Sequence, residues 1–183
     1  DMEREVEKLE RELRELIKRI RKIVDENRRR NEELLERSRE SVRRNEEENR
    51  KLLEEVKKSG VPEEIVERIR KLLEDSIRKL RKVTKEIEEE LRRSIEKAER
   101  VVEEVERLAE EAIRRLRDVL KANVEKVLRE VKEEVRKLLE EIEKTVRDVS
   151  RENKRILDEL RKKNKRADEE NREILKKLRE DVR

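Results

Sequence analysis

Asparagine, serine and threonine recur where an amphipathic helix would carry its buried side chains, and they are the residues of this chain best placed to do chemistry. Asn27, Asn31, Ser38, Ser41, Asn45 and Asn49 fall on the apolar arc of the first third. Ser76, Thr84 and Ser94 do so in the middle third, and Thr145, Ser150, Asn153, Asn164 and Asn171 in the last. Buried amides and hydroxyls can line a cavity for a small ligand or a file of water, pair across an interface between chains, or bond to one another within one chain. Ligand pockets lean on apolar and aromatic walls, and this chain has no aromatic residue. Internal pairing is the reading the pattern favours. An unpaired buried amide costs about 1–3 kcal/mol, whereas a paired one is modestly favourable. Such groups therefore penalise any register that leaves them unmatched.

Reaction chemistry has little else to draw on. With no His and no Cys, the hydroxyls lack the base that would make them nucleophiles, and there is no disulfide framework or redox compartment to infer. Carboxylate pairs abound (Glu88-Glu89-Glu90, Glu103-Glu104, Glu140-Glu141). Di-metal bundles, however, combine inward Glu with Glu-x-x-His, so neither a metal nor a cofactor is expected. Most Glu residues lie instead on outward arcs, near Lys or Arg one turn away, where i,i+4 pairs add a few tenths of a kcal/mol. One Gly in the whole chain excludes a glycine-rich phosphate loop.

Partners of the common classes fit poorly. The basic runs Arg28-Arg29-Arg30 and Arg161-Lys162-Lys163 could touch phosphates, but acidic runs interrupt them, and the stacking aromatics of single-strand binders are missing. No nucleic-acid partner is expected. No apolar run exceeds two residues, so no membrane span or secretory leader is expected either. A soluble chain follows, cytoplasmic if expressed without a signal.

The elements that must position these polar groups are long helices. Only 31% of residues are hydrophobic and 59% are charged, a composition that could pass for disorder. Periodicity argues otherwise, because the apolar residues keep to one face of a 3.6-residue helix. They also repeat every 18 residues, five turns of a straight helix. Leu13, Asn31 and Asn49 share one phase, as do Leu9, Asn27 and Asn45, while Leu16, Leu34 and Leu52 stay apolar. A seven-residue repeat would impose a left-handed supercoil and an eleven-residue repeat a right-handed one; an 18-residue repeat implies neither.

Two breaks divide the chain. At Ser59-Gly60-Val61-Pro62-Glu63-Glu64, Gly60 can take the left-handed conformation that ends a helix, and Pro62 suits the first turn of the next. The second break, at Ala122-Asn123-Val124-Glu125-Lys126, has neither Gly nor Pro, and Asn123 takes the role of Gly60. Phase supports it: at about 100° per residue the apolar face jumps by about 90° near residues 120–126. Three helices of about 2–59, 62–122 and 125–183 result. Short loops make neighbours antiparallel. The expected fold is all-α, a single bundle over residues 1–183: an elongated, nearly straight up-down-up three-helix bundle. Matching depths then places Asn31 level with Asn153, Asn49 with Asn171, Ser94 near Asn27 and Ser150, and Ser76 near Asn45 and Asn49.

Surfaces filled with Glu, Lys and Arg, cores of Leu, Ile and Val, a Gly-Val-Pro-Glu-Glu loop and layers of Asn, Ser and Thr resemble de novo designed helical bundles with buried hydrogen-bond networks. That resemblance implies a synthetic, coiled-coil-like, hyperstable scaffold without natural activity, and not an enzyme. No partner is required on this reading. The alternative is an assembly module that self-associates as a homo-oligomer, or receives a partner helix, along the Asn-bearing faces.

Overall fold

Asp1 sets the start of the first helix: its carboxylate Oδ1 accepts from the Glu3 backbone N–H at 3.3 Å and its carbonyl from that of Glu5. This is the N-cap role that Asp fills well. From there the computed structural model, which describes residues 1–182, is all-α, with α1 (Met2–Lys58), α2 (Glu63–Ala122) and α3 (Glu125–Val182). The three long helices pack against one another up-down-up. Arg183, the expected last residue of the third helix, lies outside the described residues.

Both breaks fall where the sequence places them. Gly60 has φ 79° and Asn123 φ 55°, and Asn123 is the one non-glycine residue with positive φ among the described residues. The end of α1 is closed by Ser59, whose N–H and hydroxyl both donate to the Val56 carbonyl at 3.2 and 2.6 Å. In α2 the helical pattern begins with the Pro62 carbonyl, which accepts from Ile65 and Val66. Pro62 is therefore the residue preceding the helix rather than part of its first turn. In α3 the Val124 carbonyl plays that part, accepting from Leu128 at 3.0 Å. The second connection is thus two residues shorter than the first, which is why it shows so little in the sequence.

These two positions carry a conformational prediction. A Cβ added at Gly60 meets nothing within 4 Å, so Gly60→Ala should lose only left-handed backbone freedom, about 1 kcal/mol. Asn123→Gly should be neutral or stabilising by up to about 1 kcal/mol, because Gly tolerates that conformation better. Guanidinium unfolding curves of the two variants check the opposite signs.

Packing divides into two compact units, each taking a stretch of all three helices. The first comprises Asp1–Arg29 and Arg93–Lys154; the second comprises Arg30–Arg92 and the chain from Arg155 onward. The first unit holds one large apolar cluster, including Leu13, Ile20, Ala109, Leu116, Leu128, Val131 and Val146. Small alanines at 109 and 112 on α2 face the larger Leu and Val side chains of α1 and α3 within it, and such alternation of large and small residues lets helices interlock. The second unit has two smaller clusters, one around Leu34, Ile87, Leu91, Leu157 and Leu160, the other around Leu52, Val56, Ile69, Leu73 and Leu175. Apart from Asn31 on α1, the inward polar residues of this unit lie in sequence between the two clusters on each helix.

Burial follows the 18-residue repeat. Within α1, Leu9, Leu13, Asn27, Asn31, Asn45 and Asn49 are all buried, so amides occupy the same inward stripe as leucines. The repeat fails at arc edges and helix starts. Ile65, Leu72 and Val127, each on an expected apolar arc, are 43%, 51% and 41% exposed. Ile65 and Val127 stand within three residues of their helix starts, and Leu72 lies at the margin of the α2 arc.

Candidate functional site: a buried polar network

In the second unit α1 presents Ser41 and Asn45, α2 presents Ser76, and α3 presents Asp168 and Asn171 to one another. Ser76 Oγ donates to Asn171 Oδ1, and Asn171 Nδ2 donates to Asn45 Oδ1 at 2.6 Å. Asn45 Nδ2 donates to Asp168 Oδ1 and to the Ser41 carbonyl, each at 2.7 Å. Ser41 Oγ donates to the same Asp168 oxygen at 2.7 Å. The other carboxylate oxygen, Oδ2, faces Arg172 Nε at 3.1 Å. All three helices are joined by one chain of donors that ends on a charge.

That charge sets the direction of every link. An ionised carboxylate can only accept, so Asn45 must turn its NH₂ toward Asp168 and leave Oδ1 for Asn171. Asn171 must then offer Oδ1 to Ser76. Burial works to push the Asp168 carboxyl up, but the hydrogen bonds from Asn45 and Ser41 and the charges of Arg172 and Arg44 outweigh it. The carboxyl is held below the ordinary carboxylate value. A carboxylate so well solvated by donors is a weak base, so Ser41 is a donor to it rather than a nucleophile activated by it.

A second, smaller contact joins α1 and α2. Thr84 Oγ1 donates to the Leu80 carbonyl at 3.3 Å, so its hydroxyl proton is used and Ser38 donates to it, at 2.7 Å. Asn49 Nδ2 reaches across to the Leu73 carbonyl at 3.3 Å, while its buried Oδ1 has no hydrogen-bond partner. Ser76 thus lies with Asn45, as depth matching anticipates. Asn171 bonds to Asn45 rather than to its expected level partner Asn49. A stagger of one helical turn suffices for that exchange, and matching by residue count assumes flush helix ends.

Other expected members are not joined. Asn31 is buried with neither amide atom hydrogen-bonded, and Asn153 Oδ1 is likewise buried without a partner, so the expected pairing of these two is not made. Asn164 is half-buried, with Oδ1 enclosed and unpartnered. In the first unit Asn27 is buried, Ser94 half-buried and Ser150 exposed. Ser150 is therefore not part of the polar core. The inward line of α3 runs through buried Val146, half-buried Val149 and buried Asn153 there, which turns position 150 outward. Half-buried Thr145 spends its hydroxyl on the Glu141 carbonyl of its own helix, at 3.0 Å.

Two charged residues turn inward although their type points outward. Asp168, half-buried, is one. Its signal was its spacing, since Asn164, Asp168, Asn171 and Leu175 follow i, i+4, i+7 and i+11, the inward line of α3. Lys132 is the other, buried along the line Leu128, Val131, Val135 and Leu139, with Nζ bound to Glu5 of α1 in the first unit. The long Lys stem can cover apolar surface while its ammonium reaches a partner at the rim.

Among the described residues no group of three or more His, Cys, Asp or Glu comes together to hold a metal ion. No helix there is long and apolar enough to cross a membrane. Comparison with protein-family models, with curated proteins and with solved structures finds no match.

Proposed function

We propose that this chain is a structural scaffold of designed origin, without catalysis or a ligand of its own, and that its polar network serves to fix the register of three helices. The observation that carries this reading is the continuous path Ser76–Asn171–Asn45–Asp168–Ser41, which takes members from every helix. Sliding any helix by one residue would rotate its members by about 100° and strand their partners. Buried polar groups in helical bundles have this registry role as their best-attested use. The 18-residue repeat and the almost complete restriction of the surface to Glu, Lys and Arg support a designed origin.

The alternative assembly reading asks for Asn-bearing faces that remain open to a second chain. It has less support, because Asn27, Asn31, Asn45, Asn49, Asn153 and Asn171 are buried within one copy. Light scattering on the size-exclusion peak separates the two readings. The scaffold reading expects 22.5 kDa, the mass of one chain. A stable multiple of that mass would make assembly the function and overturn the single-chain reading.

A further inference from the structure

We propose that Asp168 is an acid-released clasp: protonation of this one carboxylate undoes the joint between α1 and α3 in the second unit and opens that unit locally. The inference goes beyond the register role, since a network can fix register without responding to pH.

Geometry makes the joint intolerant of a proton. Oδ1 already accepts from both Ser41 and Asn45, and Oδ2 faces Arg172. A proton on Oδ1 displaces one of the two donors from α1. A proton on Oδ2 sets an O–H against the Arg172 N–H, donor against donor. Only the Ser41 hydroxyl could turn to accept the new proton, and in doing so it would stop donating to Oδ1; Asn45 Oδ1 and Asn171 Oδ1 already accept from Asn171 and Ser76. The surroundings favour the anion from two helices. Arg172 contributes from α3 and Arg44 from α1. Glu48 of α1 and Glu180 of α3 border the same α1–α3 groove as Arg172 and are its acidic groups, beside the basic Lys176 and Arg179. The network reaches α2 only through the neutral Ser76 hydroxyl.

The sign follows from linkage. Asp168 binds a proton less readily folded than unfolded, so protonation favours the open chain. Its contribution is complete above the unfolded value of about 4 and is lost as pH falls through the lower folded value. Exposed ion pairs also weaken in acid, but they do so in both units and contribute little individually.

Hydrogen–deuterium exchange of the full chain tests the clasp, with guanidinium added to bring opening into range and rates corrected for intrinsic pH dependence. Wild type and Asp168→Asn are compared from about pH 7 to pH 2, spanning the ordinary Asp value. In the wild type, protection around residues 38–49, 73–84 and 164–175 should be lost only as pH falls below the ordinary Asp value of about 4. Asp168→Asn mimics the protonated state, so the same segments should be less protected already at pH 7 and nearly flat with pH. A second variant, Arg172→Gln, keeps the carboxylate and its α1 donors; its loss of protection should begin at higher pH than in wild type. Parallel pH profiles for wild type and Asp168→Asn would overturn the proposal. So would a wild-type loss spread evenly over both units, or an Arg172→Gln profile unmoved from wild type. None of these outcomes bears on chain mass or helix register, so failure here is distinguishable from failure of the scaffold reading.

Discussion

Asn45→Leu, made alone, should lower the unfolding free energy by about 2–4 kcal/mol, although it replaces a polar core residue by an apolar one of similar size. The substitution strands the NH₂ of buried Asn171 and removes a donor from half-buried Asp168. Changing the whole network instead, with Ser41→Ala, Asn45→Leu, Ser76→Ala, Asp168→Leu and Asn171→Leu together, should restore the wild-type value or exceed it. Guanidinium unfolding followed by helical circular dichroism measures both. The two results together are strongly non-additive, as expected of residues that act as one network. If the five single changes sum to the combined effect, the network is not a unit.

Leu13→Ala should cost about 2–5 kcal/mol in the same assay, by lost burial and by the cavity left behind. Leu13 is fully enclosed within the apolar cluster of the first unit, in company with Ile20, Leu116 and Val131. The residues clustered with Leu13 are apolar, so the cavity is a loss of contacts. Leu72→Ala supplies the contrast. That side chain is 51% exposed, and its truncation should change stability by less than about 1 kcal/mol. Equal losses at the two sites would mean that Leu72 is covered in solution by something other than this chain.

Helix number, order and ends were legible because several local signals agree. Gly60 and Asn123 each take the positive φ that a helix end asks for, and the jump in apolar phase at Asn123 reveals a break with neither Gly nor Pro. The inward placement of Asn27, Asn31, Asn45 and Asn49 was legible from the 18-residue repeat, since amides there share phase with buried leucines.

The identity of hydrogen-bond partners was not legible. Asn171 pairs with Asn45 rather than Asn49, a difference of one turn that depends on helix stagger, and stagger leaves no mark in the pattern of one helix. Asp168 and Lys132 were hidden by their type. In a chain with 59% charged residues, an acidic or basic side chain is ordinarily solvated, and only the i, i+4, i+7 spacing with buried neighbours marks these two as inward. Ser150 shows the converse: the arc is wide enough on paper to include it, yet Val149 takes the inward position beside it.

Register is what the network is proposed to fix, so the most direct test is a distance between helices in the second unit. With no native Cys, spin labels can be placed cleanly by Arg37→Cys on α1 and Lys162→Cys on α3, both exposed. Pulsed dipolar spectroscopy of that pair should give one narrow distance distribution with the network intact. With the five network residues replaced by apolar ones, the folded protein should show a broadened or multiple distribution, with components displaced by about one helical turn, ~5.4 Å along the axis. A single narrow distribution unchanged by that replacement would contradict the register role, because apolar packing alone would then suffice to fix the helices.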